Sequence, residues 1–205
     1  MQEPVSDGGG LAGLDLLFTT GGLAVRRMSD DPEDYRLLAR WLSDPRVLEW
    51  VYGRDSPRDY DAVIAKFRPR VLGEDPVEPC IVFWEGRPIG YVQVYTAPEE
   101  ILAEVDAVRG VWAIDLFIGE PEYWDRGIGT QLVTSVLRWL FDSRDASMVT
   151  IDPRLNNPRA VRTYEKAGFR KRTVLQAHEL HEGVWHDNWL MTVSHEEFVT
   201  SHTGR

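Results

Sequence analysis

Four stretches of the chain place apolar residues at helical spacing, and seven others read as strands. From Pro32 to Ser43, Tyr35, Leu38, Trp41 and Leu42 share one face. Ser56–Leu72 reads as a second helix with Pro57 in its first turn. Gly127–Asp142 carries the strongest pattern, with Leu132, Val133, Val136, Leu137 and Leu140 on one stripe. Pro158–Ala167 is the fourth, closed by Gly168 as a left-handed cap. The strand-like runs are Leu23–Met28, Cys80–Trp84, Ile89–Tyr95, Val111–Gly119, Ser147–Ile151, Phe169–Leu180 and Asn188–Ser194. Cys80–Trp84 and Ile89–Tyr95 form a hairpin around Glu85-Gly86-Arg87-Pro88. The predicted order is β-α-α-β-β-β-α-β-α-β-β, an α/β chain whose alternating second half implies a mixed sheet with a parallel pair at its centre.

Outside these elements, Leu48–Gly53 is an aromatic loop and Pro98–Arg109 a polar, acidic one. Residues 1–22, with breakers at Gly8-Gly9-Gly10 and Gly21-Gly22, read as a flexible leader. The expected domain is 23–194, and 195–205 a polar tail. No internal repeat is visible.

Composition narrows the function. A net charge of −10 over 205 residues lacks the basic footprint of a nucleic-acid binder. It suits a cationic partner, although the same charge serves solubility. A single cysteine, Cys80 in an apolar run, excludes an internal disulfide and any thiolate zinc site. His178, His181 and His186 lie close in sequence but lack metal-ligand spacing, so no metal is expected. No apolar run approaches the roughly 20 residues of a membrane span, and no targeting signal is expected from the first residues. These features predict a cytoplasmic protein away from membranes.

The strongest chemical signal is Tyr123-Trp124-Asp125-Arg126-Gly127-Ile128-Gly129-Thr130, which joins the most apolar strand to the strongest helix. Two glycines let the backbone turn its amides outward, and the helix adds the positive end of its dipole. Arg126 adds a charge, and the whole forms a cradle for a pyrophosphate. A nucleotide P-loop would need Gly-Lys-Ser/Thr, which is absent, and a dinucleotide loop a third glycine where Leu132 stands. A plain glycine turn is the remaining rival.

This strand–loop–helix resembles the GNAT superfamily of acyl-CoA-dependent N-acetyltransferases, whose Arg/Gln-x-x-Gly-x-Gly/Ala loop binds the coenzyme A pyrophosphate. Trp124 stands where that pattern has Arg or Gln, a departure that matters little where backbone amides form the cradle. Within it, several segments are similar, in order, to aminoglycoside 6′-N-acetyltransferases: Trp41–Trp50, Pro88–Tyr95, Ile114–Pro121, Asp152–Ala160, Tyr164–Phe169 and His178–Gly183. The resemblance spans about residues 23–193. It implies a mostly antiparallel sheet whose central parallel strands splay apart, acetyl-CoA as co-substrate, and an aminoglycoside acceptor for a monomer or homodimer. Another amine acceptor, such as a polyamine or a protein N-terminus, and a non-catalytic acyl-CoA or drug sensor are the alternatives.

Residue by residue, Asp115 is a carboxylate within the apolar strand Val111–Ile118, costly there unless used or paired. The resemblance makes it the group that receives the acceptor ammonium and takes its proton, directly or through water. A carboxylate with its ordinary pKa of about 3.9 is a poor base for an amine. Asp115 is therefore raised by burial or acts as an electrostatic holder and relay, and the sequence leaves both open. Tyr164 is a core aromatic by its helix face; by resemblance it points at the coenzyme sulfur, as a hydrogen-bond donor first and a proton donor second. Asp152 suits a turn before Pro153, and the resemblance gives it a substrate ammonium to hold.

The resemblance assigns the coenzyme to Phe117, Ile118, Gly119, Trp124, Arg126, Gly127, Ile128, Gly129, Thr130, Asn157, Arg159, Ala160 and Tyr164. Freed main chain at Phe117-Ile118-Gly119 would pair with the pantetheine amides, with Gly119 allowing close approach. For Asn157 a plain N-cap is the rival reading. The acceptor wall would be acidic and aromatic: Trp50, Tyr52, Gln93, Tyr95, Asp115, Asp152 and Glu179, with Glu49, Asp55, Glu99, Glu100, Glu104, Asp106 and Glu182 as further carboxylate candidates. Direct attack by the amine needs no catalytic Cys or Ser–His pair.

Overall fold

The computed structural model describes residues 13, 15–105, 107 and 109–202. Most of the segment read as leader, Asp106, and the last three residues of the tail lie outside them.

Among the described residues, eight strands form one sheet in the order β1-β2-β3-β4-β5-β6-β8-β7. They are β1 (Leu16–Thr20), β2 (Leu23–Arg27), β3 (Glu78–Trp84), β4 (Arg87–Thr96), β5 (Val111–Ile118), β6 (Met148–Ile151), β7 (Arg170–His181) and β8 (Val184–Ser194). Every neighbouring pair is antiparallel except β5–β6. The mixed sheet with one central parallel pair is the expected α/β architecture.

Gly21-Gly22 is a hairpin turn rather than a break, because Gly21 takes a φ of 57° and Thr20 faces Leu23 across it. The apolar run before the glycines thus becomes β1, and the sheet gains a strand from within the leader. Beyond β8, α7 (His195–His202) packs Phe198 into the core, so the polar tail also contributes to the fold.

The helices are α1 (Pro32–Trp41), α2 (Pro45–Leu48), α3 (Tyr60–Val71), α4 (Glu99–Glu104), α5 (Ile128–Ser143) and α6 (Pro158–Ala167). The second predicted helix starts later than its proline suggested: Asp59 accepts from the Ala62 N–H as N-cap, leaving Pro57 in the preceding loop. The acidic segment hides α4, too short to show a periodicity. On α5 the predicted stripe is buried, each of its five side chains at most 1% exposed. Burial on that scale contributes roughly 1.5–3 kcal/mol per side chain and clamps α5 to the sheet. The α1 face of Tyr35, Leu38 and Trp41 buries in a second cluster with Phe67 and Tyr91. Cys80 lies inside the core, where burial pushes its thiol up to about 12. No described helix is long and apolar enough to cross a membrane.

One interruption of the ladder within this open sheet makes the site. β5 and β6 pair only at Val111–Ala113 against Met148–Thr150. Past Ala113, β5 continues along β4 while its ladder with β6 stops, and a groove occupies the gap.

Candidate active site

The groove has a volume of about 830 Å3 and is bounded by the second half of β5, the carboxyl end of β6, the loop into α5, the face of α6 and the middle of β7. Open α/β sheets place ligands at such carboxyl ends. At one end lies the glycine loop. α5 begins at Gly127, whose φ of 80° favours glycine, and no side chain caps the helix. Its first amides therefore keep no side-chain partner, and a Cβ built on Gly127 would meet nothing within 4 Å. Gly129 and Thr130 line the groove beside it, with Arg162 and Lys166 from α6. An open, uncapped helix start in a groove that also carries two basic side chains suits a pyrophosphate.

Of the residues expected at the coenzyme, Phe117, Ile118, Trp124, Gly127, Gly129, Thr130, Asn157, Arg159, Ala160 and Tyr164 line the groove. Three do not. Gly119 makes room for Trp41, since a Cβ there would stand 2.3 Å from the indole, and its N–H donates to the Ile89 carbonyl at 2.8 Å. Ile128 turns inward and is 3% exposed, as the first apolar anchor of α5. Arg126 is exposed and stacks on the Tyr123 ring at 5.4 Å. The Asn157 side chain accepts from the Ala160 N–H at 3.1 Å, so it is the N-cap of α6 while also lining the groove. Trp124 donates its indole N–H to the Ile118 carbonyl at 2.8 Å. The Arg159 guanidinium lies 4.3 Å from the Trp124 ring and 5.5 Å from Trp50, joining the two rims.

At the other end, all seven expected acceptor residues line the wall. Asp115 is the centre. Gln93 lies opposite it on β4 and donates its amide to Oδ2 at 2.6 Å, and the Tyr95 hydroxyl donates to the same oxygen at 3.1 Å. Burial, then repulsion from Asp152, pushes the Asp115 carboxyl up to about 6 against those hydrogen bonds. Tyr164, 8% exposed, is held well above its ordinary pKa by burial and by the charges of Asp115 and Asp152. Its phenol therefore keeps its proton. Asp152 is 3.0 Å from His178 Nε2. Glu179 receives the Asn188 amide at 3.4 Å and stands 3.7 Å from the buried Arg154.

The wall is not uniformly acidic. Tyr52 lies under Arg58 at 4.4 Å and Lys66 at 4.5 Å, and Arg58 lines the groove. Glu49, Asp55, Glu99, Glu100, Glu104 and Glu182 do not line it; Glu182 instead pairs with Arg54 at 2.6 Å. Sequence reasoning missed Arg58, Arg162, Lys166 and, except as a metal candidate, His178. Arg159, Arg162 and Lys166 fall at i, i+3 and i+7, a helical period that was available as a signal. Among the described residues no three His, Cys, Asp or Glu side chains gather as a metal site.

Comparison with known proteins gives this geometry its context. The family described as "Acetyltransferase (GNAT) domain" matches residues 30–177. The aminoglycoside N(6′)-acetyltransferase type 1 of Klebsiella pneumoniae is 33% identical over 151 residues, covering 73% of this chain and 74% of that protein. Among solved structures, AAC(6′)-Ib with ribostamycin and coenzyme A superposes with a TM-score of 0.73 at 25% identity, covering 90% of this chain and all of that one. The same enzyme with coenzyme A and kanamycin gives 0.71 at 26%, covering 87% and 98%. A parallel pair that parts over a phosphate-ready helix start, in a chain with these relatives, leads to one assignment: the protein belongs to the GNAT acetyltransferase family.

Proposed function

We propose that the protein transfers an acetyl group from acetyl-CoA to the 6′-amine of an aminoglycoside, by direct attack and without an acyl-enzyme. The observation that carries the reading is Asp115, a carboxylate in the groove wall that receives hydrogen bonds from Gln93 at 2.6 Å and Tyr95 at 3.1 Å, and that burial pushes up to about 6. The relative named as an aminoglycoside N(6′)-acetyltransferase and the neighbours holding kanamycin or ribostamycin with coenzyme A support the acceptor and the co-substrate.

The residues present fit coenzyme A. The uncapped start of α5 would hold the pyrophosphate, with Arg162 and Lys166 as basic side chains of the same groove, and the β5 edge past Ala113 would accompany the pantetheine arm. When bound, acetyl-CoA supplies a thioester carbonyl open to a neutral amine. This chain's part is to deliver that amine. Asp115 receives the acceptor's ammonium and takes a proton, exposing the lone pair; at about 6 it is a far better base than an ordinary carboxylate. Asp152 and Glu179 hold further ammonium groups of the sugar. Tyr164 offers its retained proton to the sulfur as the thiolate leaves, as a hydrogen bond first.

Steady-state thiol release with a kanamycin-type sugar and with spermidine, followed by mass spectrometry of the product, tests the proposal. Acetylation of the sugar is expected; turnover of spermidine alone would reassign the acceptor to a polyamine.

A further inference from the structure

His178 reaches the groove because its strand breaks register. β7 and β8 pair from Arg170 to Leu175 and again from Glu179, with the register shifted between. Inside that irregularity Ala177 takes a left-handed φ of 45°, unfavourable for a residue with a Cβ, and Asp187 Oδ1 fixes it by accepting its N–H at 2.8 Å. Such irregularities re-aim side chains beside active sites. Here the residue re-aimed is His178, whose Nε2 meets Asp152 Oδ2 at 3.0 Å on the groove wall.

We propose that His178 is a positioning and specificity residue for the acceptor: its imidazolium is the resident counter-ion of Asp152, and an incoming ammonium takes over that role. The inference rests on the acceptor being a cationic amine, as the proposed function has it. The groups facing His178 are Asp152 just past the end of β6, Glu179 beside it on β7 and Glu100 from α4, all favouring its charged form against partial burial. Asp115 on β5 stands near enough to Asp152 to feel its charge. With His178 charged, the dyad is neutral and holds a substrate cation weakly. With His178 neutral and still donating through Nε2, Asp152 presents its full charge. Two cations beside one carboxylate repel each other, so acceptor binding lowers the proton affinity of His178 and favours release of its proton to solvent.

Nuclear magnetic resonance titration of the histidine ring signals, without acetyl-CoA, tests this in the whole protein. In the free protein His178 should titrate above an ordinary histidine, and Asp152→Asn should lower its proton affinity several-fold. A saturating cationic acceptor should lower it about tenfold or more. Calorimetry of acceptor binding in two buffers of different ionisation enthalpy should show less proton release for His178→Gln, which keeps a donor toward Asp152 but cannot titrate. Equal titration in wild type and Asp152→Asn, or equal proton release in wild type and His178→Gln, would overturn the inference. If spermidine moves the His178 titration and the aminoglycoside does not, the dyad stands and the aminoglycoside reading fails; if neither amine moves it, the dyad inference fails.

Discussion

Gln93 faces Asp115 directly across the β4–β5 ladder and donates to its Oδ2 at 2.6 Å. The other end of the same amide is occupied: its Oε1 accepts from Arg70 Nη1 at 2.6 Å and from the Tyr91 hydroxyl at 2.8 Å. An amide whose oxygen holds two donors cannot flip without stranding both, so its NH2 is committed to Asp115. Tyr95 adds a second donor to the same carboxylate oxygen. Both donors converge on Oδ2, which leaves Oδ1 as the oxygen for an incoming ligand. A side chain on α3 thus fixes, through Gln93, the orientation of the proposed base on β5.

The ionisation of Asp115 predicts an activity limb. Only its charged form accepts a proton, so kcat/KM should fall about tenfold per unit as pH drops below about 6. Asp115→Asn should lower kcat/KM by about 10²–10⁴-fold. Thiol-release kinetics between pH 5 and 9 check both.

Stability should respond with the opposite sign. The folded carboxyl holds its proton up to about 6 against an ordinary value of 3.8, so stability falls as pH rises through that window and stays lower above it. Asp115→Asn removes the loss, of at most about 2–3 kcal/mol by that shift. Urea unfolding should find the variant more stable than wild type at pH 8 and no more stable at pH 3.5. A less stable variant at pH 8 would contradict the burial argument.

The hydrogen bond from Gln93 lowers the Asp115 pKa. Gln93→Leu should move the activity limb upward by about half a unit to one unit, the equivalent of one net hydrogen bond of roughly 1 kcal/mol. Arg70→Met removes a positive charge that lowers the Asp115 pKa and one of the two donors holding the Gln93 amide, and should move the limb in the same direction by less. A limb unmoved in Gln93→Leu would remove Gln93 from the account.

Tyr164→Phe should lower kcat by about 10- to 100-fold, the value of a hydrogen bond to a charged leaving atom. The KM for acetyl-CoA should change little, because the ring stays in place against Phe169. A change in KM alone would make Tyr164 a binding residue.

Two glycines of the expected coenzyme site should respond differently to a methyl group. Gly119→Ala drives a Cβ into Trp41 and should destabilise by roughly 1–3 kcal/mol, read as a lower Tm. Gly127→Ala meets open space but forces alanine into a φ of 80°, disturbing the uncapped start of α5. Its main effect should be a higher KM for acetyl-CoA.

The contrast between those glycines shows what the sequence carried. The α5 stripe, the strand with Asp115 inside it and the glycine turn before the helix were legible because each is a local pattern. Asp115 was legible as an anomaly: a carboxylate in an apolar run asks for a reason. Gly119 and Ile128 could not be placed, because only the tertiary structure sets Trp41 against one and the core against the other. His178 was hidden more deeply, since nothing local announces the left-handed Ala177 that aims it. β1 was misread because two glycines break a strand or turn a hairpin equally well until β2 supplies the partner.

The most direct test of the central claim pairs two acceptors that differ only at one position: an aminoglycoside with a 6′-amine and its counterpart with a 6′-hydroxyl. Acetyl-CoA-dependent thiol release is followed for both, and the acetylated position is mapped on the product. The account predicts fast turnover of the amine, with the acetyl group on the 6′-nitrogen, and turnover of the hydroxyl lower by orders of magnitude. Equal turnover of the two, or acetylation at another nitrogen, would contradict it.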